Sequence, residues 1–393
     1  MDDLYIERDI SSHIGKLAEK FPVVYLTGPR QSGKSTLAKR LFADYRYVSL
    51  EEPDVRLAAQ DDPRGFLDRL GERVVIDEAQ RSPDLFSYIQ TRVDERNVPG
   101  AYILSGSQNF LMMRRISQSL AGRVGIASLL PLSFNELKRA GKADISTDDW
   151  LFGGAYPRMH AFGIEAGDFF PGYLETYVER DIRLEMNVGD LNRFLKFIKI
   201  CASRIGQPVN YADIGAALSA DARTVGGWLS ALEASYIVFE LKPYYANFGK
   251  RISKKPKLYF YDTGLACSLL ELKSASQTAL HYLRGHLFEN AVLAEFAKRS
   301  FNRGERPSMY FWRESESREI DLLSERPEGL DLMEIKSAAT ADRAHVRNIL
   351  SFERNNGARL CARRVVYDGP SGISLSGVEF VNWRDMRLDI HST

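Results

Sequence analysis

The residues Gly28-Pro29-Arg30-Gln31-Ser32-Gly33-Lys34-Ser35 fit the pattern G-x-x-x-x-G-K-[ST] without departure. Nothing else in the chain constrains its fold so tightly, because the pattern works in only one setting. A buried strand must deliver the loop and a helix must leave it, so that backbone N–H groups and the positive helix end converge on a phosphate. Both flanks are present: the apolar run Val23-Val24-Tyr25-Leu26 precedes the loop, and the helical stretch Thr36 to Phe42 follows it. Lys34 is expected to reach the β and γ phosphates of ATP, and the Ser35 hydroxyl to ligate Mg2+. Gly28, Pro29, Arg30, Gln31, Ser32, Gly33 and Thr36 complete the expected cradle.

A second apolar run, Val74-Val75-Ile76, ends in Asp77-Glu78. Two carboxylates at the end of a buried strand suit two jobs. Asp77 is expected to hold Mg2+ through water, and Glu78 to orient and polarise an attacking water. A third run, Tyr102-Ile103-Leu104, leads to Ser105-Gly106-Ser107-Gln108. Ser107 and Gln108 are candidates to touch the γ-phosphate, with plain turn residues as the alternative. Together with Tyr47-Val48-Ser49-Leu50, these short apolar runs separated by helical periodicity predict an α/β fold, a parallel sheet covered by helices.

The remainder bounds the class of protein. The 393 residues are 44% hydrophobic and 27% charged, enough for several folded domains. Lys plus Arg total 53 against 52 for Asp plus Glu, so any nucleic-acid site must come from local clustering. Cys201, Cys267 and Cys361 form no CxxC pair, which predicts a reduced, cytoplasmic setting. The opening Met1-Asp2-Asp3 carries no apolar signal core, and no run approaches the roughly 18–20 apolar residues of a membrane span. The expected blocks are an ATPase core at 1–145, a helical lid or connector at 146–203, a winged helix-turn-helix at 204–278 and a mixed α/β domain at 279–393. The polar stretch Gly141 to Asp149 reads as a linker.

Leu26 to Ser35, Ile76-Asp77-Glu78-Ala79-Gln80, Leu104-Ser105-Gly106-Ser107 and Ser119-Leu120-Ala121-Gly122-Arg123 resemble one family. It comprises bacterial and archaeal AAA+ (STAND-like) ATPases whose ATPase module precedes a C-terminal domain of unknown function. Phe152-Gly153-Gly154-Ala155-Tyr156-Pro157 and Tyr177-Val178-Glu179-Arg180-Asp181 look like that family too, so the likeness covers nearly the whole chain. It implies a five-stranded parallel sheet and a homo-oligomer in which a neighbouring subunit's arginine completes the site. Arg123 matches best by position, with Arg114, Arg115, Arg158 and Arg180 as rivals. For each, a surface salt bridge is the alternative.

In the third block, Val209 to Leu218 and Ala222 to Ser235 have helical spacing, joined by Ser219-Ala220-Asp221. Asp221 is a plausible N-cap, and Arg223 and Thr224 fall at the exposed start of the second helix. Two strand-like runs follow, Tyr236 to Leu241 and Lys257 to Tyr261. Between them, five of the nine residues Gly249 to Lys257 are basic, with Tyr244 and Tyr245 nearby. Lys250, Arg251, Lys254, Lys255 and Lys257 thus form an expected DNA-binding patch, with a solvated hairpin or a protein-binding module as alternatives.

In the last block, Asp321, Glu334 and Lys336 give Asp-x12-Glu-x-Lys on two strand-like runs. Alternation puts Glu334 and Lys336 on one strand face, which would also receive Asp321. The pattern resembles the PD-(D/E)xK restriction-endonuclease-like folds, although Ile320 stands where that name has proline. The resemblance implies Mg2+ held by Asp321 and Glu334, with Glu289 as a further ligand and Lys336 against the phosphate. An active nuclease, an inactive nuclease fold retained for binding, and a chance spacing remain open.

These features point to an AAA+ ATPase acting on DNA, either a translocase or a branched-DNA remodeller, with or without Mg2+-dependent cleavage. The other reading is a STAND-type signalling or defence switch in which ATP controls oligomerisation and the winged helix binds protein. The two central residues should part in the laboratory. Lys34→Ala should lose ATP binding or hydrolysis, whereas Glu78→Gln should bind ATP and turn it over very slowly. Normal turnover by Glu78→Gln would remove Glu78 from the base role.

Overall fold

The structure is a computed structural model describing residues 4–106, 119–177, 191–245, 255–315, 318–357 and 359–386. Its first sheet contains β1 (Val23–Thr27), β2 (Arg46–Ser49), β3 (Val74–Asp77), β4 (Tyr102–Ser105) and β5 (Val124–Ser128), in the order β2-β3-β4-β1-β5. All its pairings are parallel. β1, β3 and β4 are buried along their whole length, which explains their unbroken apolar runs. Alternate residues feed two cores. Val23 and Tyr25 join one with Phe66, Leu67 and Phe86, while Val24 and Leu26 join the other with Ile14 and Leu37. β5 was the strand least visible in sequence, because it is an edge strand with alternating burial and a glycine. Gly125 lets the covering N-terminal segment pack closely there, since a Cβ would lie 3.0 Å from both the Leu17 and Phe21 side chains.

The second sheet has eight strands: β6 (Val238–Pro243), β7 (Lys257–Phe260), β8 (Tyr310–Ser315), β9 (Arg318–Arg326), β10 (Gly329–Lys336), β11 (Leu360–Tyr367), β12 (Ile373–Leu375) and β13 (Val378–Asn382). Their order is β12-β13-β11-β10-β9-β8-β6-β7. β6 and β7 form the antiparallel pair foreseen after the two helices Tyr211–Leu218 and Ala222–Ala234. They do not stand apart as a hairpin, however. Lys242 and Pro243 of β6 pair in parallel with Tyr310 and Phe311 of β8, so the pair extends the C-terminal sheet. Tyr244 follows it in, its ring edge-on to Tyr310. Lys257, expected at the surface, is buried between Glu289 and Glu319.

The helix Ala222–Ala234 forms despite Gly226 and Gly227, which weaken a helix by about 1 kcal/mol each. Its buried face of Val225, Trp228, Leu229 and Leu232 sits in one large core and supplies the stability that propensity withholds. That core also holds Trp150 and Phe170 from the second block, and Phe288 and Trp383 from the last. The stretch read as a linker is tied into it. Thr147 begins the helix Thr147–Gly153, hydrogen-bonds Asp368, and accepts a 3.0 Å bond from Trp383 Nε1. Trp150 and Trp383 stack with centroids 3.9 Å apart and planes 2° from parallel. Among the described residues, no helix is long and apolar enough to cross a membrane.

Trp383 therefore clamps the chain's end to residues 147–150. Trp383→Ala should cost about 3–5 kcal/mol, as large aromatic truncations in cores do. Urea unfolding followed by circular dichroism checks this. A loss below 1 kcal/mol would mean that the stack carries little of the shared core's stability.

Candidate functional site

The loop after β1 and the carboxylates after β3 open onto one crevice at the carboxyl ends of the strands, where ligands bind in open α/β sheets. Two glycines shape the loop. Gly28 has φ +145°, and a Cβ there would lie 2.1 Å from the Leu129 carbonyl oxygen. Gly33, at φ +93°, is the left-handed residue from which the helix Lys34–Leu41 starts. Lys34 is buried, and its ammonium donates to the carbonyls of Gly28 (3.0 Å) and Pro29 (2.8 Å). Burial lowers the Lys34 pKa to about 8, against the opposing pull of Glu78 and Asp77. The Ser32 hydroxyl is buried and has no hydrogen-bond partner among the described residues. An orphaned hydroxyl and a cation resting on its own loop suit a phosphate that both would engage.

Asp77 is held at the end of β3 from both sides. The Tyr47 hydroxyl on β2 donates to Oδ2 at 2.6 Å, and the Ser105 hydroxyl on β4 donates to Oδ1. Glu78 then turns out of the strand at φ +54°, a left-handed conformation rare for a non-glycine residue. The short turn Ala79–Arg81 brings Gln80 back, and its amide donates to Glu78 Oε2 at 2.6 Å. Gln80 packs so closely on Gly106 that a Cβ there would lie 2.1 Å from its amide oxygen. Burial raises the Glu78 pKa. Asp77 adds to the rise, while Lys34, Arg30 and the Gln80 hydrogen bond oppose it.

Around these groups lies a cavity of about 580 Å3. Arg30, Gln31, Lys34, Ser35, Thr36 and Glu78 line one side. Leu4, Tyr5 and Arg8 of the N-terminal segment, with Arg158 and Phe162 of the helix Pro157–Phe162, line the other. Arg158 thus faces the loop of its own chain. Arg123 does not line the cavity. It forms a fork on Asp94, with Nη2 to Oδ2 at 3.0 Å, and Nη1 donates to the Ala121 carbonyl. Ser107, Gln108, Arg114, Arg115 and Arg180 lie outside the described residues.

Sequence reasoning missed Arg8, Tyr47, Gln80 and Ser105. Arg8 left one trace, a charge between Ile6 and Ile10, both of which are buried. The others act across strands or turns, where spacing along the chain is uninformative.

The C-terminal motif assembles in part. Met333 of β10 pairs with Leu322 of β9, which brings Glu334 and Lys336 beside Asp321. The Lys336 ammonium lies 2.6 Å from Glu334 and 3.0 Å from Asp321, and the Ile335 N–H donates to Asp321 at 2.7 Å. Glu334 is fully buried; burial, then the Asp321 charge, pushes its pKa well above the carboxylate range against the pull of Lys336. Glu289 is occupied differently. Lys257 approaches it at 3.3 Å, the Tyr259 hydroxyl donates to it, and His286 lies 3.6 Å away. Burial opposes its ionisation, but Lys257 and these hydrogen bonds hold Glu289 below its ordinary pKa. Glu289 thus sits with Lys257, Tyr259 and His286, while Asp321 and Glu334 share Lys336. Among the described residues, no three His, Cys, Asp or Glu side chains gather as a metal-holding group. Two ammonium groups, from Lys257 and Lys336, already sit between the carboxylates.

Of the expected DNA contacts, Arg223 and Lys255 are exposed. Thr224 is half-buried, with its N–H on the Asp221 cap at 2.7 Å. Lys250, Arg251 and Lys254 lie outside the described residues. The neighbouring surface also carries acid: Tyr211 donates to Glu240 at 3.0 Å, and burial with the Glu240 charge raises Glu233 to about 7.

Two pH effects follow. The Lys34 charge is lost as pH rises through about 8, so nucleotide affinity should fall above that pH, as titration with ADP from pH 6.5 to 9.5 would record. A Glu78 that acts as the base must be ionised to accept a proton, so in that role turnover should fall as pH drops through its raised pKa. Gln80→Ala removes a hydrogen bond that favours the ionised form, so the acid limb of kcat should move to higher pH. An unmoved limb would separate Gln80 from Glu78 ionisation.

Residues 20–138 match the family described as AAA domain, and residues 144–276 and 284–386 match two domains of unknown function (DUF8612 and DUF4143). Uncharacterized proteins of Mycobacterium tuberculosis and Mycobacterium bovis are each 31% identical over 340 residues, covering 83% of this chain and 73% of theirs. Among solved structures, the chain is similar to a Walker-type ATPase of Pyrococcus abyssi, with 16% identity and a TM-score of 0.42. That match covers 68% of this chain and 96% of the other. An intact phosphate loop, paired carboxylates at the end of β3, a five-stranded parallel sheet and the mycobacterial likeness converge: the chain belongs to one family with those relatives, and its first block is an AAA domain.

Proposed function

We propose that the protein hydrolyses ATP in the crevice between β1 and β3 and uses that cycle to act on DNA. One observation carries the hydrolytic reading: Lys34 and Glu78 line one cavity, with Asp77 next to Glu78 in the chain; the loop's own carbonyls hold Lys34, and Tyr47, Ser105 and Gln80 hold the two carboxylates. Lys34 would leave the Gly28 and Pro29 carbonyls for the β and γ phosphates. Glu78 would take the proton of the attacking water. Ser35 and Asp77 would hold Mg2+, which supplies charge neutralisation on the phosphates. Arg158 lines the cavity in its own chain and would balance phosphate charge there. Arg123 would serve a neighbouring subunit of a homo-oligomer only after releasing Asp94.

The DNA role is supported by the exposed Arg223 at the start of its helix, and by the basic run Lys250, Arg251, Lys254 and Lys255 later in the sequence, between β6 and β7. The Asp321, Glu334 and Lys336 cluster favours a phosphate reader, because Lys336 already contacts both carboxylates. Cleavage with Mg2+ would require Lys336 to give up at least one of them.

Steady-state ATPase with and without duplex, forked and single-stranded DNA tests the proposal, and several-fold stimulation is expected. Replacing Lys250, Arg251, Lys254 and Lys255 with alanine should weaken DNA binding across sequences, flattening its salt dependence by about one unit of slope per lost phosphate contact. In parallel, Asp321→Ala should lower DNA binding without abolishing a cleavage activity. Mg2+-dependent cutting lost in that variant would make the domain a nuclease. ATPase indifferent to DNA, with ATP-dependent oligomerisation, would replace the proposal by a signalling switch.

A further inference from the structure

Arg8 lies 20 residues before the first residue of the phosphate loop, in a segment without any motif, yet it is buried against that loop at the edge of the cavity. Its guanidinium makes three directed contacts. Nη1 donates to the Ser32 carbonyl at 2.7 Å, Nη2 to the Leu130 carbonyl at 2.6 Å, and Nε to Glu136 Oε1 at 3.2 Å. Glu136 is itself fully engaged, accepting from the Asp9 N–H at 2.7 Å and the Ser133 N–H at 2.8 Å. The pair is thus neutral overall and held on every side. A buried charge pair of this kind is an expensive way to stabilise a fold, since apolar residues do as well or better. Its geometry points to another use.

We propose that Arg8 is a positioning residue for nucleotide binding, which it serves by orienting the peptide between Ser32 and Gly33. In a planar trans peptide the C=O and the N–H point in opposite directions. Arg8 holds the Ser32 carbonyl, so the Gly33 N–H is fixed on the opposite side of that peptide, where it would meet a phosphate. Without that hold the peptide can flip, because Gly33 in the left-handed region has no side chain to resist it. A flipped peptide would present a carbonyl oxygen to the phosphate, replacing attraction with repulsion. Arg8 also fastens the loop to residues 130–136. The C-terminal half of the chain grips that segment independently: Glu295 accepts from the Phe134 N–H at 2.8 Å, and Lys298 donates to the Leu132 carbonyl at 3.0 Å. The loop therefore has a brace outside its own motif. The fork geometry matters, because a lysine could reach only one of the three acceptors well.

The inference rests on the nucleotide-binding reading of the loop, and one experiment separates the two. Binding of ADP is measured by isothermal titration for the full-length wild type, Arg8→Met, Arg8→Lys and Glu136→Gln, with urea midpoints and ATPase kinetics alongside. Both Arg8 variants should weaken ADP binding by about tenfold or more, the scale of effect that small misplacements of binding groups produce. KM for ATP should rise in both, with kcat at saturation changed less. Glu136→Gln loses the same ion pair but leaves Arg8 on Ser32. It should lower the urea midpoint while changing ADP affinity less than about threefold. Equal losses of affinity in Arg8→Met and Glu136→Gln, or unchanged affinity in Arg8→Met, would overturn the proposal. Should Arg8→Met fail to fold, Arg8→Lys decides by the same comparison. A wild type that binds no ADP would instead defeat the nucleotide reading, and the Arg8 role with it.

Discussion

Because β4 is inserted between β1 and β3, the loop that follows β1 and the carboxylates that follow β3 open onto one crevice, one strand apart. The hydrogen bonds at Asp77 depend on that order, since Tyr47 comes from β2 on one side and Ser105 from β4 on the other. The position of Lys34 depends on it as well. Its ammonium is buried close enough to Asp77 and Glu78 to feel both charges, yet its hydrogen bonds go to the loop's own carbonyls. A lysine so placed is desolvated and weakly committed, which suits it to exchange those carbonyls for phosphate oxygens. Gln80 and the strained backbone at Glu78 keep the second carboxylate apart from the first, so the two are free to differ in role.

The crevice is not an isolated unit. The segment after β5 meets the phosphate loop through Arg8 and meets the helix Arg284–Asn302 through Glu295 and Lys298. The same helix carries Glu289 nearer its start, beside the C-terminal cluster. One helix therefore touches both the wall of the crevice and the Asp321 sheet. The second block is bound in equally firmly, through the Trp150–Trp383 stack and the salt bridge of Arg284 to Asp148 at 2.7 Å. Among the described residues, packed side chains and ion pairs connect the crevice wall to the C-terminal sheet.

The C-terminal cluster shows how burial and pairing compete. Four carboxylates, Glu289, Glu319, Asp321 and Glu334, meet two ammonium groups from Lys257 and Lys336. Unpaired, that many charges in a low dielectric would be prohibitive. Lys257 comes from β7, beyond the two helices, so the strand pair expected to project outward supplies part of the cluster's balance. This explains why Lys257 is buried although Lys254 and Lys255 just before it make the run look like a charged surface.

How much of this was legible beforehand depended on the range of the interaction. The chain's sequence by itself determined the phosphate loop, the Asp77-Glu78 pair, the buried strands and the Asp321, Glu334 and Lys336 alignment. Each rests on local spacing, where a strand's alternation or a loop's glycines dictate geometry within a few residues. Tertiary structure alone decided the rest: the strand order that sets Tyr47 and Ser105 on Asp77, the joining of β6 to β8, the burial of Lys257, the in-chain partner of Arg123 and the seat of Arg8. These contacts join residues as far apart as Arg8 and Glu136, 128 positions along the chain. Their geometry comes from how whole elements pack, and no short pattern records that.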